Sequence, residues 1–189
     1  MSADLFRSTL ADTISLHEQV LNGGAAPVLE AAGAIVRSLK GGGKLLVFGN
    51  GGSAADAQHV ASELVNRFER TRVALAALAL TTDASVVTSI GNDQTFEQVF
   101  ARQIDALGRE GDVALGISAS GRSPNVVAAL DAARARRMAT IALTGRDGGA
   151  AGRAAAIHVN VPSTSTARVQ EVHRTLLHVI CDVVERAFV

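Results

Sequence analysis

His59 and Glu63 stand four residues apart in the stretch FGNGGSAADAQHVASE, residues 48–63. On a helix this spacing puts both side chains on one face, one turn apart. An imidazole and a carboxylate so placed can ligate one metal ion, or act as base and neighbour in proton transfer. Such pairs also occur on solvated helix faces. What sets this one apart is its place just beyond a glycine loop. That loop, Gly49-Asn50-Gly51-Gly52-Ser53, follows the apolar run 44–48, and Ser53 is of the right type to cap a helix. Strand, glycine turn and helix start together aim backbone N–H groups at a ligand.

A second loop carries hydroxyls. Ser118-Ala119-Ser120-Gly121-Arg122-Ser123-Pro124 places three serines within six residues, at a strand end and ahead of a helix. Serine hydroxyls and the N–H groups of a helix start can cradle a phosphate without a metal. An ordinary serine-rich turn with Ser123 as N-cap is the plainer alternative. No Gly-Lys-Ser/Thr follows, so this is not a P-loop, and Gly49-Asn50-Gly51-Gly52 lacks dinucleotide-loop spacing. Asn92 and Asp93 form a third polar turn, readable also as a helix end followed by a cap.

The C-terminal stretch contributes Gln170, Glu171, His173 and His178. His178 sits among Leu176, Leu177, Val179 and Ile180, a setting that suits a satisfied core histidine as well as a general acid or base. Gln170 and His178 are eight residues apart, about 12 Å of rise on a straight helix. Either Gln170 lies in an irregular first turn, or the two act at one site from different subunits.

These groups need a scaffold, and the hydrophobic pattern supplies one. Apolar strands are expected near 44–48, 74–80, 112–118, 138–143 and 157–161. Helical patterns fall near 3–21, 27–39, 53–67, 83–91, 95–107, 124–136 and 166–187, with Pro124 at a first helical position and Asp83 as a cap. Alternating strands and helices imply a mostly parallel sheet with helices on both faces, and ligands outside the carboxyl ends of its strands. Two helices precede the first strand, so both cannot be crossovers; they cover the sheet or pack against another copy. The last helix is apolar on much of its circumference, which points to burial on several sides.

Composition excludes several classes. The 189 residues carry 18 basic and 18 acidic side chains, no Trp or Tyr and six Phe. A basic nucleic-acid surface or an aromatic stacking platform is therefore not expected. The single Cys181 cannot form an internal disulfide and reads as a buried thiol. No apolar run approaches the ~18 residues of a membrane span. The opening MSADLFRSTLADT lacks a secretory pattern, and the expected compartment is the cytoplasm.

Taken in order, GNGGSAADAQHVASEL, IGND, GISASGRSPNV, LTGRDGG and ARVQEVHRTLLHVI resemble the sedoheptulose 7-phosphate isomerases (phosphoheptose isomerases) of the sugar isomerase, or SIS, domain superfamily. The resemblance covers nearly the whole chain. It implies a three-layer α/β fold, with a five-stranded parallel sheet of flavodoxin-like order between helical layers. It also implies one domain over 1–189, with helices in 1–43 used in oligomer packing and an α/β core in 44–189. Substrate positions would be Asn50, Gly51, Gly52, Ser53, Glu63, Asn92, Asp93, Ser118, Ala119, Ser120, Ser123 and Gln170. Glu63 and His178 match the catalytic pair, and His59, Glu63, Gln170 and His178 match a zinc site.

The family acts as a homotetramer with active sites between subunits, and its product, D-glycero-D-manno-heptose 7-phosphate, feeds lipopolysaccharide or other heptose pathways. Ala119 replaces a Thr found in many members, and Ala167 an Asp found in some. A rival branch of the family is a non-catalytic tetrameric partner of the replication initiator, with degraded catalytic positions. All four of His59, Glu63, Gln170 and His178 are retained here. A sugar-phosphate sensor, or an isomerase for another ketose phosphate, is a third reading.

Overall fold

The computed structural model describes residues 2–189. Five parallel strands, β1 (Leu45–Gly49), β2 (Ala77–Ala79), β3 (Val113–Ser118), β4 (Ala139–Gly145) and β5 (Ile157–Val161), form one sheet of order β2-β1-β3-β4-β5. The central strands β1, β3 and β4 are short apolar runs with both faces covered, while β2 and β5 at the edges are partly exposed. In β1, Leu45 and Val47 face one core while Leu46 and Phe48 face the other. In β3, Val113, Leu115 and Ile117 face the first core and Ala114 the second. This is the period of two of a strand, at the centre of a sheet with helices on both faces.

One face carries α2 (Ala26–Lys40), α3 (Gly52–Val65) and α8 (Thr166–Arg186), which bury the larger aliphatic cluster. The other carries α4 (Ala84–Asp93), α5 (Ala101–Leu107), α6 (Pro124–Ala135) and α7 (Gly149–Ala154). Here β3 and β4 present small residues, Ala114, Gly116 and Ala142, beside Leu46 and Phe48 of β1. A Cβ on Gly116 would lie 2.9 Å from Val126, so α6 sits close because that position has no side chain. The amphipathic α2 packs on the sheet beside α8. Helix α1 (Ser2–Asn22) leans on α8 with Leu16 buried, and leaves Leu5, Phe6, Leu10, Ile14 and Leu21 exposed.

Several expected boundaries moved. The second strand shortens to three residues, because just before it the Leu75 amide donates to the Leu64 carbonyl at the end of α3 rather than to a neighbouring strand. The helix expected over 95–107 divides into a 3₁₀ turn, Phe96–Gln98, and α5. Helix α7 carries no long apolar period and was not anticipated. Gly51, not Ser53, is the cap residue of α3, with φ 58° and no side-chain hydrogen bond. A positive φ favours glycine, so the loop turns there and Ser53 is drawn into the first helical turn, buried. Asp83 does cap α4, accepting from the Val86 amide at 3.0 Å.

β1 and β3 are neighbours, but the chain leaves β1 towards β2 and leaves β3 towards β4. The connections diverge between them, opening a crevice at their carboxyl ends. Asn50 and Ser118 stand at its two lips.

Candidate active site

At that crevice the starts of α3 and α6 come together. Asn50 and Asn125 exchange amide hydrogen bonds in both directions, at 2.8 and 2.9 Å, tying the glycine loop to α6. Asn125 is buried. It lies in the GRSPNV motif, yet sequence reasoning passed over it, because only the fold sets it opposite Asn50. The Ser118 hydroxyl lies 3.0 Å from that of Ser123 and 3.5 Å from that of Ser120, which also accepts from the Arg122 amide. Ser123 occupies the N-cap position of α6 without a side-chain capping bond. The three hydroxyls therefore face one another at the helix start, where backbone donors favour an anion. Ala119, half-buried, adds no hydroxyl.

Helix α3 carries the second group. His59 and Glu63 lie on one face, with Glu63 Oε1 3.6 Å from His59 Nε2. His178 of α8 meets them within the same chain, its Nε2 2.8 Å from His59 Nε2 and its ring 5.5 Å from that of Phe68. The half-buried His178 is no core histidine. Burial holds its pKa below the ordinary histidine value, and the neighbouring His59 pushes the same way; Glu63 pulls against them. The fully buried histidine is His173, whose Nε2 donates to the Thr144 carbonyl while Nδ1 has no partner.

Helix α8 is regular from Thr166, capped by Ser165, so Gln170 does not lie in an irregular turn. It faces the same cleft as His178. This cleft, about 630 Å³, is lined by Gly52, Asp56, Gln170, Arg174 and His178 among others. A Cβ on Gly52 would lie 2.6 Å from Gln170 Nε2, so the glycine admits the amide. Asp56, buried, holds the Arg174 guanidinium at 2.5 Å. Asn92 and Asp93 are not a separate turn: they close α4, exposed and hydrogen bonded to each other at 2.8 Å. Among the described residues no hydrogen bond links them to the serine loop or to His178. A larger cavity, about 820 Å³, opens at the amino ends of the strands, where Lys44 pairs with Asp112 and Arg137 with Glu110.

Among the described residues no three His, Cys, Asp or Glu side chains form a ready-made metal cage. The donor chemistry of His59, Glu63 and His178 nevertheless suits zinc: two imidazole nitrogens face each other with a carboxylate oxygen beside them.

A sequence model of the SIS domain matches residues 10–145. The chain is 54% identical over 174 residues to a phosphoheptose isomerase of Aromatoleum aromaticum, covering 90% of this chain and 88% of the relative. A solved phosphoheptose isomerase from Neisseria gonorrhoeae superposes with a TM-score of 0.93 at 43% identity, covering 98% of this chain and all of the other. One from Francisella tularensis gives 0.95 at 40% identity, with 98% and 99% covered.

The chain belongs to the phosphoheptose isomerase family. Its sheet order and flanking helices are those of the family's SIS fold. Among the described residues, no helix is long and apolar enough to cross a membrane. The phosphoheptose isomerase frame also exposes what spacing concealed. Gln170 and His178 share one cleft wall, and His178 reaches His59 without a second copy.

Proposed function

We propose that this chain converts sedoheptulose 7-phosphate to D-glycero-D-manno-heptose 7-phosphate. The observation that carries the reading is the meeting of His178 with the His59–Glu63 pair, on the sheet whose carboxyl edge also holds three converging serines. The extent of the likeness to enzymes of this name supports it. The non-catalytic binding reading is not favoured, because His59, Glu63, Gln170 and His178 are all retained and the relatives are phosphoheptose isomerases.

A 2-ketose becomes an aldose when a proton leaves C1 and one arrives at C2, through an enediol. The hydroxyl proton on O1 leaves as well, and O2 gains one. One group must work on carbon and another on oxygen. Glu63 and His178 share these tasks. His178, held largely neutral by burial, can accept and return a proton near pH 7. Ser118, Ser120, Ser123 and the N–H groups at the start of α6 hold the 7-phosphate. Asn50, Gly51, Gly52, Ser53, Ala119, Asn92, Asp93 and Gln170 complete the sugar's surroundings. For Asn92 and Asp93 this requires the ligand to reach the end of α4.

His59, Glu63 and His178 would hold a zinc ion, and Gln170, eight residues earlier on the regular α8 and about 12 Å along its axis, would complete the set only from a second copy. When bound, the ion polarises the carbonyl and hydroxyl oxygens of the sugar. The exposed apolar side chains of α1, Leu5, Phe6, Leu10 and Ile14, give a second copy a surface to cover, in keeping with a homotetramer. Incubation with sedoheptulose 7-phosphate, with and without added zinc, tests the reading by formation of the aldose. No aldose under either condition would refute it.

A further inference from the structure

After α3 ends at Val65 the chain runs irregularly to Ala77, directly beyond Glu63. Such a segment is ordinarily mobile. Here it is held from α8. Glu185, fully buried and seven residues after His178, accepts the amides of Phe68, Glu69 and Arg70, each at 2.8 Å. The Arg72 side chain, with no exposed surface, has its Nε 3.5 Å from Glu185 Oε1. Its two terminal nitrogens donate to the carbonyls of Glu63 at 2.7 Å, Leu64 and Val73 at 2.8 Å, and Asn66 at 3.3 Å. The carbonyls of Glu63 and Leu64 belong to the last turn of α3, which has no intrahelical donors for them. A buried cation there also complements the negative helix end. Arg70 adds an outer tie to Asp182 at 2.6 Å.

We propose that Arg72 and Glu185 act as positioning residues, a clamp that fixes the Glu63 end of α3 against α8 and so sets the approach of Glu63 to His178. Two considerations favour positioning over mere stability. A buried ion pair contributes little net stability compared with apolar packing, and Arg72 Nε makes no hydrogen bond to Glu185, whereas the bonds the two side chains make to backbone groups are directional and fix geometry. The clamp also spans the two helices that supply the proton-transferring groups, while the serine loop hangs from β3 and α6, outside it. The catalytic consequence rests on the isomerase reading.

The test uses full-length Arg72→Lys and Glu185→Gln. Lysine keeps the charge but loses the planar fork; glutamine keeps the volume but has a single acceptor oxygen, so its NH2 faces at least one of the three amides that Glu185 receives. With sedoheptulose 7-phosphate, kcat is expected to fall ~10–100-fold in both, the scale of a small misplacement of reacting groups. KM should stay within about twofold, because the phosphate cradle is untouched. A control of matched Tm loss, Ile104→Ala in the opposite core, should keep the parental kcat. Amide exchange over 62–70 should quicken about tenfold in both variants while 113–118 is unchanged.

Parental kcat in both variants, a loss of kcat shared by the control, or unchanged exchange over 62–70 would each overturn the clamp. Should Arg72→Lys fail to fold, Glu185→Gln carries the test alone. Should the unmutated chain leave sedoheptulose 7-phosphate unconverted, the isomerase reading fails, and exchange over 62–70 still decides whether α3 is held.

Discussion

His59 Nε2 and His178 Nε2 lie 2.8 Å apart although 119 residues separate them. One comes from the first helix after β1 and the other from the last helix of the chain. Their contact is made because α3 and α8 pack side by side on one face of the sheet. The pairing sits next to Glu63, so three groups able to move protons or hold a metal share a small volume.

Removing either proton-transferring group should abolish most turnover. General acid–base catalysis contributes ~10²–10⁴-fold, so Glu63→Gln and His178→Ala should each lower kcat by at least the lower figure. Neither carries the fold: both side chains are only half-buried. Steady-state kinetics beside circular dichroism checks this. Near-parental turnover in either variant would remove that residue from the mechanism.

The Asn50–Asn125 exchange joins the two loops at the crevice. Asn125→Ala leaves the half-buried Asn50 amide without its partner. That costs about 1 kcal/mol and should lower Tm. Because the glycine loop is then free of α6, KM should rise more than kcat falls. Differential scanning fluorimetry and kinetics separate the two effects. An unchanged KM would show that the loop keeps its place without the pair.

Acid should weaken the protein through His173. Burial pushes its pKa down from the ordinary 6.5, opposed by the hydrogen bond to Thr144 and by Asp56. The unfolded chain therefore binds a proton at a pH where the folded chain does not. Stability is full above pH 6.5 and falls as pH drops towards the depressed folded value. Glu185 adds a second loss further down. Burial alone would raise its carboxyl, but the amides of Glu69, Arg70 and Phe68, with Arg72, hold it below the ordinary 4.5. Its contribution is present above pH 4.5 and disappears below it. Urea titrations from pH 7.5 to 4 check this. In His173→Gln the slope between pH 6.5 and 5.5 should flatten, and an unchanged slope would assign it elsewhere.

Cys181 should be inert in the folded protein. It is 1% exposed, and burial, with Glu63 and Glu185 nearby, pushes its thiol up to about 12. A thiol that stays protonated and covered reacts slowly. Iodoacetamide at pH 8 should leave it unmodified by mass spectrometry until denaturant is added. Rapid labelling of the native chain would show that the α8 core opens.

Much of this was legible in the sequence for a plain reason. Strand and helix periods, the glycine loop after 44–48, the serines ahead of Pro124 and the His59–Glu63 spacing are local, and local sterics and hydrogen bonding decide them. Gly51 rather than Ser53 as the cap of α3, the broken helix after Thr95, and Asn92 and Asp93 inside α4 turn on competition between a local preference and the packing around it. Long-range partners left no trace in spacing. Nothing along the chain says that Asn125 faces Asn50, that Glu185 receives the amides after Phe68, or that His178 lies against His59 within one chain. Those pairings exist because a parallel sheet brings distant segments to one edge and one face, and only burial against that sheet chooses which side chains meet.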